Sequence, residues 1–246
     1  MTINVMILAA GMGTRLGRPH PKSLTRLDDG RTIMGQQHDN LAYAFGGAVR
    51  ILTVVGFKME SIVERFPDSA FVYNELFDQT NTSKSLLKGL RAEGDGGVLW
   101  MNADVVFDPE ILVRVRPLIQ ADQSFCVVNT SEVADEEVKY RVGDDGAITA
   151  ISKQVPTALA EGEAVGINYV SSRDRERLLQ GLELVDDQEY FEGGLEWAIS
   201  QGARFLPVDV SDLAVVEVDF PDDLTRANVE FAPAAEFRGE PVRLSA

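Results

Sequence analysis

A glycine-rich segment followed by a lysine is the part of the sequence best suited to binding phosphate. Residues 11–17 (GMGTRLG) contain three glycines and come directly after the apolar run 3–10. A glycine backbone can close round phosphate oxygens because no Cβ interferes. Arg15 lies within the segment, and the two prolines of residues 19–22 (PHPK) stiffen the chain before Lys22. These residues predict a loop that holds an anion, with a purely structural turn as the alternative.

The distribution of charge separates this loop from the rest of the chain. The 246 residues include 23 basic and 39 acidic side chains, which gives a net charge of −16. Residues 1–27 hold four basic residues and no acidic one, so residues 28–246 carry 19 basic and 39 acidic residues, a net charge of −20. A chain this acidic lacks the basic surface that nucleic acid or an anionic membrane demands in a partner. The basic loop still suits one small anion.

Spacing excludes two familiar glycine motifs. The dinucleotide fingerprint G-x-G-x-x-G would have its third glycine one residue before Gly17. It also needs an acidic residue at the end of the next strand, which here reads VVGFK over residues 54–58. The phosphate loop G-x-x-x-x-G-K-[ST] needs a lysine where this chain has Arg18. The glycine loop is therefore of another type.

Acidic residues at two predicted strand ends are candidate metal ligands. Asp104 comes just after the predicted strand 97–102. Glu217 and Asp219 share one face of the predicted strand 215–220, because successive strand residues alternate between faces. Mg²⁺ prefers carboxylate and phosphate oxygens and commonly keeps bound waters, so one Asp from each strand is enough beside a phosphate. The alternative is that these carboxylates are simply solvated.

The elements that must position these residues alternate between strands and helices. The predicted strands are 3–10, 50–56, 70–73, 97–102, 138–142, 147–152, 165–170, 204–210 and 215–220. The predicted helices are 32–46, 59–66, 83–91, 173–182, 195–201 and 221–230. This order predicts a single-domain α/β fold, a Rossmann-like, doubly wound mixed sheet with an inserted β-hairpin region, whose ligands lie outside the carboxyl ends of the strands. We expect a catalytic domain over residues 1–230 and a tail over 231–246, either a loosely held arm or a contact in a homodimer.

The single cysteine and the N-terminus bear on the cellular compartment. One Cys permits no internal disulfide, and Cys126 lies in the apolar run 125–128, where a buried core thiol is expected rather than a nucleophile. The N-terminus has no basic region before its short apolar stretch, and no run approaches the ~18 apolar residues of a membrane span. We expect a cytoplasmic protein.

Residues 8–24 (LAAGMGTRLGRPHPKSL) resemble the signature loop of the nucleotidyltransferases of the nucleotide-diphospho-sugar transferase type. These enzymes activate sugar phosphates, phosphocholine and related phosphates as nucleoside diphosphates, and their L-A-A-G-x-G-x-R…P-K loop wraps a nucleoside triphosphate. The resemblance implies that Arg15 and Lys22 hold the phosphates. The residues that it implies contact the nucleotide are Leu8, Ala9, Ala10, Gly11, Met12, Gly13 and Ala103.

The same resemblance implies a metal site and a second phosphate site. Asp104 and Asp219 stand where the superfamily has its Mg²⁺ ligands, and whether Glu217 also binds metal stays open. Lys153, at the end of the predicted hairpin, stands where the superfamily has a lysine near the acceptor phosphate. With Arg15, Lys22 and Lys153 as the catalytic cations, an acceptor oxygen attacks the α-phosphorus and pyrophosphate leaves. No protein nucleophile is needed.

The nucleotide and the acceptor are inferred from weaker similarities. Most of the chain is similar to short phosphocholine-type and aminoalkylphosphonate-type cytidylyltransferases, which favours CTP. Asn81 and Ser85 resemble a stretch that faces the nucleotide in the phosphocholine enzymes, with helix capping as the alternative. Tyr190 and Glu192 suit an acceptor with an ammonium head group, with an amphipathic helix that has a solvated acidic face as the alternative.

Other functions stay open at this point. Phosphocholine and 2-aminoethylphosphonate are the favoured acceptors, but a sugar 1-phosphate or inositol phosphate is also compatible with the sequence. A metal-dependent glycosyltransferase would normally show Asp-x-Asp where this chain has residues 102–104 (NAD), and its first loop would not need Arg15 and Lys22. A catalytically silent nucleotide sensor should lack the carboxylate pair.

Overall fold

A computed structural model describes residues 2–131 and 133–232, so most of the predicted tail 231–246 lies outside the described residues. The strands are β1 (Ile3–Ala9), β2 (Val49–Val55), β3 (Ala70–Tyr73), β4 (Val98–Asn102), β5 (Val105–Phe107), β6 (Phe125–Asn129), β7 (Lys139–Val142), β8 (Ile148–Ser152), β9 (Gly162–Val170), β10 (Leu206–Asp209) and β11 (Val215–Glu217). The helices are α1 (Ile33–Phe45), α2 (Met59–Arg65), α3 (Thr82–Ala92), α4 (Glu110–Gln120), α5 (Arg175–Leu184), α6 (Phe191–Ser200) and α7 (Pro221–Glu230). Within the described ranges, every helix is too short or too polar to cross a membrane.

Nine of the described strands form one mixed sheet. Its order is β10-β6-β9-β4-β1-β2-β3, and β7 and β8 are attached beside β9. Strand β1 lies between β2 and β4 and is parallel to both. Strand β9 is antiparallel to both β4 and β6, and the β7–β8 hairpin pairs with the start of β9. The α/β class, the mixed sheet and the hairpin expected from the sequence are confirmed.

Helices cover both faces of the sheet, which explains the nearly continuous apolar runs of its central strands. In β1, Val5 and Ile7 face a core shared with α1 and α4. Met6 and Leu8 face a second core shared with α3, α5 and α6. Burying one such aliphatic side chain stabilises the fold by about 1.5–3 kcal/mol. The two cores together fix the central strands and the edge of the sheet at which they end.

A third apolar cluster fastens the glycine loop to the end of the described chain. Strands β5 and β11 pair antiparallel in a separate two-stranded sheet. Leu16 from the loop packs in one cluster with Val216 and Val218, and with Leu224 of α7. Because this cluster is buried, the loop is held against the end of β11 and the start of α7.

Two boundaries differ from the sequence prediction in ways that affect the site. Helix α6 begins at Phe191 rather than at Leu195. The backbone N–H of Phe191 donates to the hydroxyl of Thr82 at 3.1 Å, so the first turn of α6 is satisfied by the start of α3. Strand β11 ends at Glu217, three residues early, because the chain turns there towards α7.

Three elements between residues 105 and 129 have no bounds among the strands and helices predicted above. They are β5, α4 and β6. The apolar run 125–128 forms most of β6, and Cys126 within it is fully buried. Burial raises the pKa of this thiol, first by desolvation and then by the nearby Glu192, so it stays protonated. Cys126 is the core thiol that the sequence predicts.

Candidate active site

The carboxyl ends of β1 and β4 open into a cleft of about 810 Å³. Leu8 and Asn102 are register partners at these ends. The glycine loop after β1 and the turn after β4 therefore face the same space. Five of the residues expected to contact nucleotide line this cleft: Leu8, Ala9, Gly11, Gly13 and Ala103.

Glycines shape the loop around Lys22. Gly13 has a left-handed φ of +57°, and a Cβ there would lie 2.7 Å from the Cβ of Lys22. Any other residue would strain the backbone and displace Lys22. Gly17, with φ +65°, ends the single 3₁₀ turn Thr14–Leu16. A Cβ at Gly11 would meet nothing within 4 Å, so the space beside the loop is open.

The two cations of the loop contact two carboxylates across the cleft. Lys22 Nζ donates to Asp104 Oδ2 at 2.7 Å and to Asp219 Oδ1. Arg15 donates to the other oxygen of Asp219 at 3.1 Å. Burial lowers the pKa of Lys22, but the two carboxylates outweigh burial and the pKa lies above its ordinary value. Burial raises the pKa of Asp219, but Lys22 and Arg15 outweigh it and the pKa lies below its ordinary value.

A third carboxylate joins this cluster. Oxygen atoms of Asp104, Glu217 and Asp219 all lie within 4.8 Å of one another. Burial, and then the two neighbouring carboxylates, raise the pKa of Glu217 well above its ordinary value. Asp104 Oδ1 is buried without a hydrogen-bond partner among the described residues. Three clustered carboxylates, one of which has an unpaired oxygen, suit a hard divalent cation.

A buried glutamine holds the turn that carries Asp104. Gln37 Nε2 donates to the carbonyl oxygens of Asn102 and Val105, both at 2.8 Å. These carbonyls flank Asp104 on either side. The backbone N–H of Val218 also donates to the carbonyl of Asp104 at 3.0 Å, which ties this turn to β11. Gln37 is absent from the residues predicted for the site, and its one signal in the sequence is the presence of several amide side chains in α1.

A second positioning residue lies at the start of α7. The Asp223 carboxylate accepts from the backbone N–H groups of Asp219 and Phe220, at 3.1 and 2.8 Å. These two hydrogen bonds fix the direction of the backbone at Asp219, where the chain leaves β11. Pro221 followed two residues later by an acid is a helix-start pattern that could have revealed this role.

A family model described as the MobA-like NTP transferase domain matches residues 5–161. This range is more than half of the chain, and it includes the glycine loop, Lys22, Asp104 and Lys153. The chain belongs to the MobA-like NTP transferase domain family. The nucleotidyltransferase resemblance of the glycine loop is thereby confirmed.

Individual relatives of this chain add detail. It is 29% identical to the CMP-5'-(3-aminopropyl)phosphonate synthase of Streptomyces rubellomurinus over 95% of the chain, but it spans 40% of that relative's length. The structure of CTP:phosphocholine cytidylyltransferase from Streptococcus pneumoniae superposes with a TM-score of 0.71 at 18% identity, covering 93% of this chain and 99% of the other. The inositol-1-phosphate CTP transferase from T. maritima gives a TM-score of 0.74 at 17% identity, covering 95% and 98%. The two structural matches show a shared fold.

The other end of the cleft is lined by the residues expected to bind the acceptor. Lys153, Tyr190 and Glu192 all line it, and Lys153 Nζ lies 5.1 Å from the centre of the Tyr190 ring. Glu192 is 8% exposed. Burial raises the pKa of Glu192 to about 7, although the nearby Lys153 acts to lower it. Its Oε2 has no hydrogen-bond partner among the described residues.

Four residues expected to contact nucleotide lie outside the lining of the cleft: Ala10, Met12, Asn81 and Ser85. Asn81 Oδ1 accepts from the backbone N–H of Thr82 at 2.8 Å and caps α3. Ser85 is buried, and its hydroxyl accepts from the Asn74 amide at 3.1 Å. Thr82, which sequence reasoning missed, is the α3 residue that lines the cleft.

Proposed function

We propose that this chain transfers CMP from CTP to a small phosphate or phosphonate acceptor, with 2-aminoethylphosphonate or phosphocholine as the favoured acceptors. The observation that carries the proposal is one cleft lined by two sets of charged side chains, each of which places cations next to carboxylates. Arg15 and Lys22 meet a carboxylate cluster at one end, and Lys153 lies beside a buried carboxylate at the other. The first end suits a metal-bound triphosphate and the second an acceptor that carries both phosphate and amine.

The chemistry assigned to the chain's own residues is alignment and charge neutralisation. An acceptor oxygen forms a bond to the α-phosphorus while the bond from that phosphorus to the bridging oxygen breaks, and pyrophosphate leaves with the electron pair. Arg15 and Lys22 bind the departing phosphates, and Lys153 binds the acceptor phosphate. Asp104 and Asp219, with Glu217 beside them, would hold Mg²⁺, which supplies further neutralisation of phosphate charge.

The relatives support this choice of nucleotide and acceptor. Two of the similar proteins are named for CTP, and a third is named for a CMP-aminopropylphosphonate product. An aminoalkylphosphonate matches the acceptor end because its phosphonate can pair with Lys153 and its ammonium group with Glu192. A sugar 1-phosphate or inositol phosphate has hydroxyl groups in place of that ammonium and would leave Glu192 without a charged partner.

A matrix of substrates tests the proposal. ATP, CTP, GTP and UTP are each combined with 2-aminoethylphosphonate, phosphocholine, glucose 1-phosphate and inositol 1-phosphate, and pyrophosphate release is measured with and without Mg²⁺. We expect release with CTP and either 2-aminoethylphosphonate or phosphocholine, only when Mg²⁺ is present. Two results would overturn the proposal. One is pyrophosphate release with a sugar 1-phosphate and with no other acceptor, and the other is release from CTP in the absence of any acceptor.

The acceptor KM is expected to depend on pH through Glu192. Burial raises the pKa of Glu192 to about 7, so its carboxyl is largely protonated at pH 6 and ionised at pH 8. The amine keeps its proton over this range, so KM for 2-aminoethylphosphonate should fall about tenfold from pH 6 to pH 8 as the carboxylate forms. The charged groups around Glu192 are Lys153 and Glu189, and the Cys126 thiol stays neutral.

Two controls separate this effect from ionisation of the phosphonate. Ethylphosphonate has the same titrating group without the amine, and Glu192→Gln removes the carboxyl. Neither the wild type with ethylphosphonate nor Glu192→Gln with 2-aminoethylphosphonate should show the fall in KM attributed to Glu192. A pH profile of the wild type that matches the Glu192→Gln profile would contradict the prediction.

Gln37→Leu should disturb the turn that carries Asp104. Two buried carbonyls lose their donor, so we expect the free energy of unfolding to fall by about 1–3 kcal/mol. A shift of Asp104 should also lower kcat for pyrophosphate release by about 10–100-fold. Urea unfolding and steady-state kinetics measure the two effects.

Gln36→Leu is the matched control for Gln37→Leu. Gln36 is a neighbouring buried amide, but it donates to the carbonyl of Phe107, which keeps a second donor from Asn40. We expect this variant to lose stability with little loss of kcat. Equal kcat in the two variants would argue against a positioning role for Gln37.

A further inference from the structure

Four basic side chains line the described part of the cleft, and one of them has no part in the chemistry proposed above. Arg15 and Lys22 bind the departing phosphates in that proposal, and Lys153 binds the acceptor phosphate. The fourth is Arg226 of α7. Eight carboxylates line the same space, so a nucleotide with several negative charges depends on the few cations that the cleft offers.

The fold places Arg226 at the end of the cleft that holds Arg15 and the carboxylate cluster. The third apolar cluster fastens α7 to the glycine loop. Arg226 comes three residues after Asp223, so the two side chains lie on one face of α7. Asp223 accepts from the backbone N–H of Asp219 at 3.1 Å, and the Asp219 carboxylate accepts from Arg15, also at 3.1 Å. Arg226 is therefore linked to Arg15 through two acidic residues that line the same cleft.

The guanidinium group of Arg226 is only loosely paired. Its distance to Asp223 Oδ1 is 3.7 Å, which is too long for a hydrogen bond, and its side chain is 54% exposed. The other oxygen of Asp223 accepts from two backbone N–H groups and holds the start of α7. Arg226 can therefore turn its N–H donors to another anion without disturbing the bonds that fix Asp219.

The position of Arg226 indicates which phosphates it would reach. An acceptor held by Lys153 must approach the α-phosphorus from its own end of the cleft, so the β- and γ-phosphates lie towards Arg15 and Lys22. Both of these cations already bond to carboxylates of the protein. Arg226 adds a cation that has no such bond, and the planar fork of a guanidinium group matches two phosphate oxygens at once.

We propose that Arg226 binds the β- and γ-phosphates of the nucleotide, and so holds pyrophosphate as it departs. This inference rests on the proposed transfer of CMP from CTP. It assigns a substrate contact to α7, which lies outside the residues 5–161 that the family model matches. The start of α7 then positions Asp219 through Asp223, while the next turn of the same helix binds the leaving group.

A comparison of CTP with CMP tests the proposal, because CMP carries only the α-phosphate. The Kd of each nucleotide is measured by isothermal titration calorimetry with Mg²⁺ and without an acceptor. In Arg226→Gln we expect Kd for CTP to rise about 10–30-fold, since a hydrogen-bonded charge is lost, and Kd for CMP to stay within about twofold. Arg226→Lys keeps the charge without the fork, so its Kd for CTP should lie between those of the wild type and Arg226→Gln.

Arg177→Gln provides the matched control. Arg177 is an exposed arginine of α5 that also pairs loosely with an acid three residues earlier, at 3.6 Å from Asp174. It does not line the cleft. The variant loses the same charge from the protein as Arg226→Gln, but its Kd for CTP should match the wild-type value.

The possible results separate this inference from the proposed function. Wild-type affinity for CTP in Arg226→Gln, or an equal loss of affinity for CTP and CMP, would overturn the role of Arg226. Pyrophosphate release by the wild type would in that case leave the proposed function standing. A wild type that binds CTP no more tightly than CMP would overturn both.

Discussion

Asp104→Asn should lower kcat for pyrophosphate release by about 10²–10³-fold at saturating substrates. Asp104 contacts Lys22 through one oxygen and leaves the other buried and unpaired within a three-carboxylate cluster. The amide of asparagine has almost the same shape but no charge, so the substitution tests the charge alone. Because Mg²⁺ would neutralise charge most effectively as pyrophosphate departs, we expect a larger effect on kcat than on KM for CTP.

Asp108→Asn is the matched control for this prediction. Asp108 lies four residues further on, and its carboxylate accepts from the backbone N–H of Glu110 at 2.9 Å, at the start of α4. It does not line the cleft. This variant should keep kcat within about twofold of the wild type, the ordinary range for a substitution away from a site. An Asp104→Asn enzyme that retains more than a tenth of wild-type kcat would remove Asp104 from the proposed metal site.

Much of the fold follows from the sequence because the central strands are buried on both faces. The apolar runs that become β1, β2 and β4 have no polar alternation, and their predicted bounds agree with the observed ones to within one residue. Strand β5 spans only three residues between a turn and Pro109. So short a segment shows no period, and its pairing with β11 depends on contacts distant in the sequence.

The sequence likewise identifies some residues of the candidate site and misses others. Asp104 lies two residues after β4, and Arg15 and Lys22 lie in the loop that follows β1. Because the topology brings these strand ends together, a local pattern was enough to select the three residues. Gln37 acts from inside the fold. Nothing in a single sequence tells which amide of a helix points at a distant backbone turn.

Lys22 pairs with two of the carboxylates that are proposed to hold the metal ion. Its ammonium group bonds to two of the three clustered carboxylates, and its side chain is 11% exposed. Without a bound nucleotide, this ammonium is an internal counter-ion for the cluster. A triphosphate would offer Lys22 and Arg15 new partners and free the carboxylate oxygens for a divalent cation. Metal binding and nucleotide binding should therefore be coupled through Lys22.

Lys22→Met should lower kcat about 10²–10³-fold and yet tighten the binding of Mn²⁺ in the absence of nucleotide by about tenfold. Methionine keeps most of the length of the lysine side chain, but it leaves the carboxylates of Asp104 and Asp219 without their ammonium partner. Titration of free Mn²⁺ by electron paramagnetic resonance measures the affinity directly. Lys58→Met removes a nearby cation that donates to the carbonyl of Pro19 and does not contact the cluster, so its Mn²⁺ affinity should match the wild type. Unchanged or weaker Mn²⁺ binding in Lys22→Met would show that Lys22 does not compete with the cation for these oxygens.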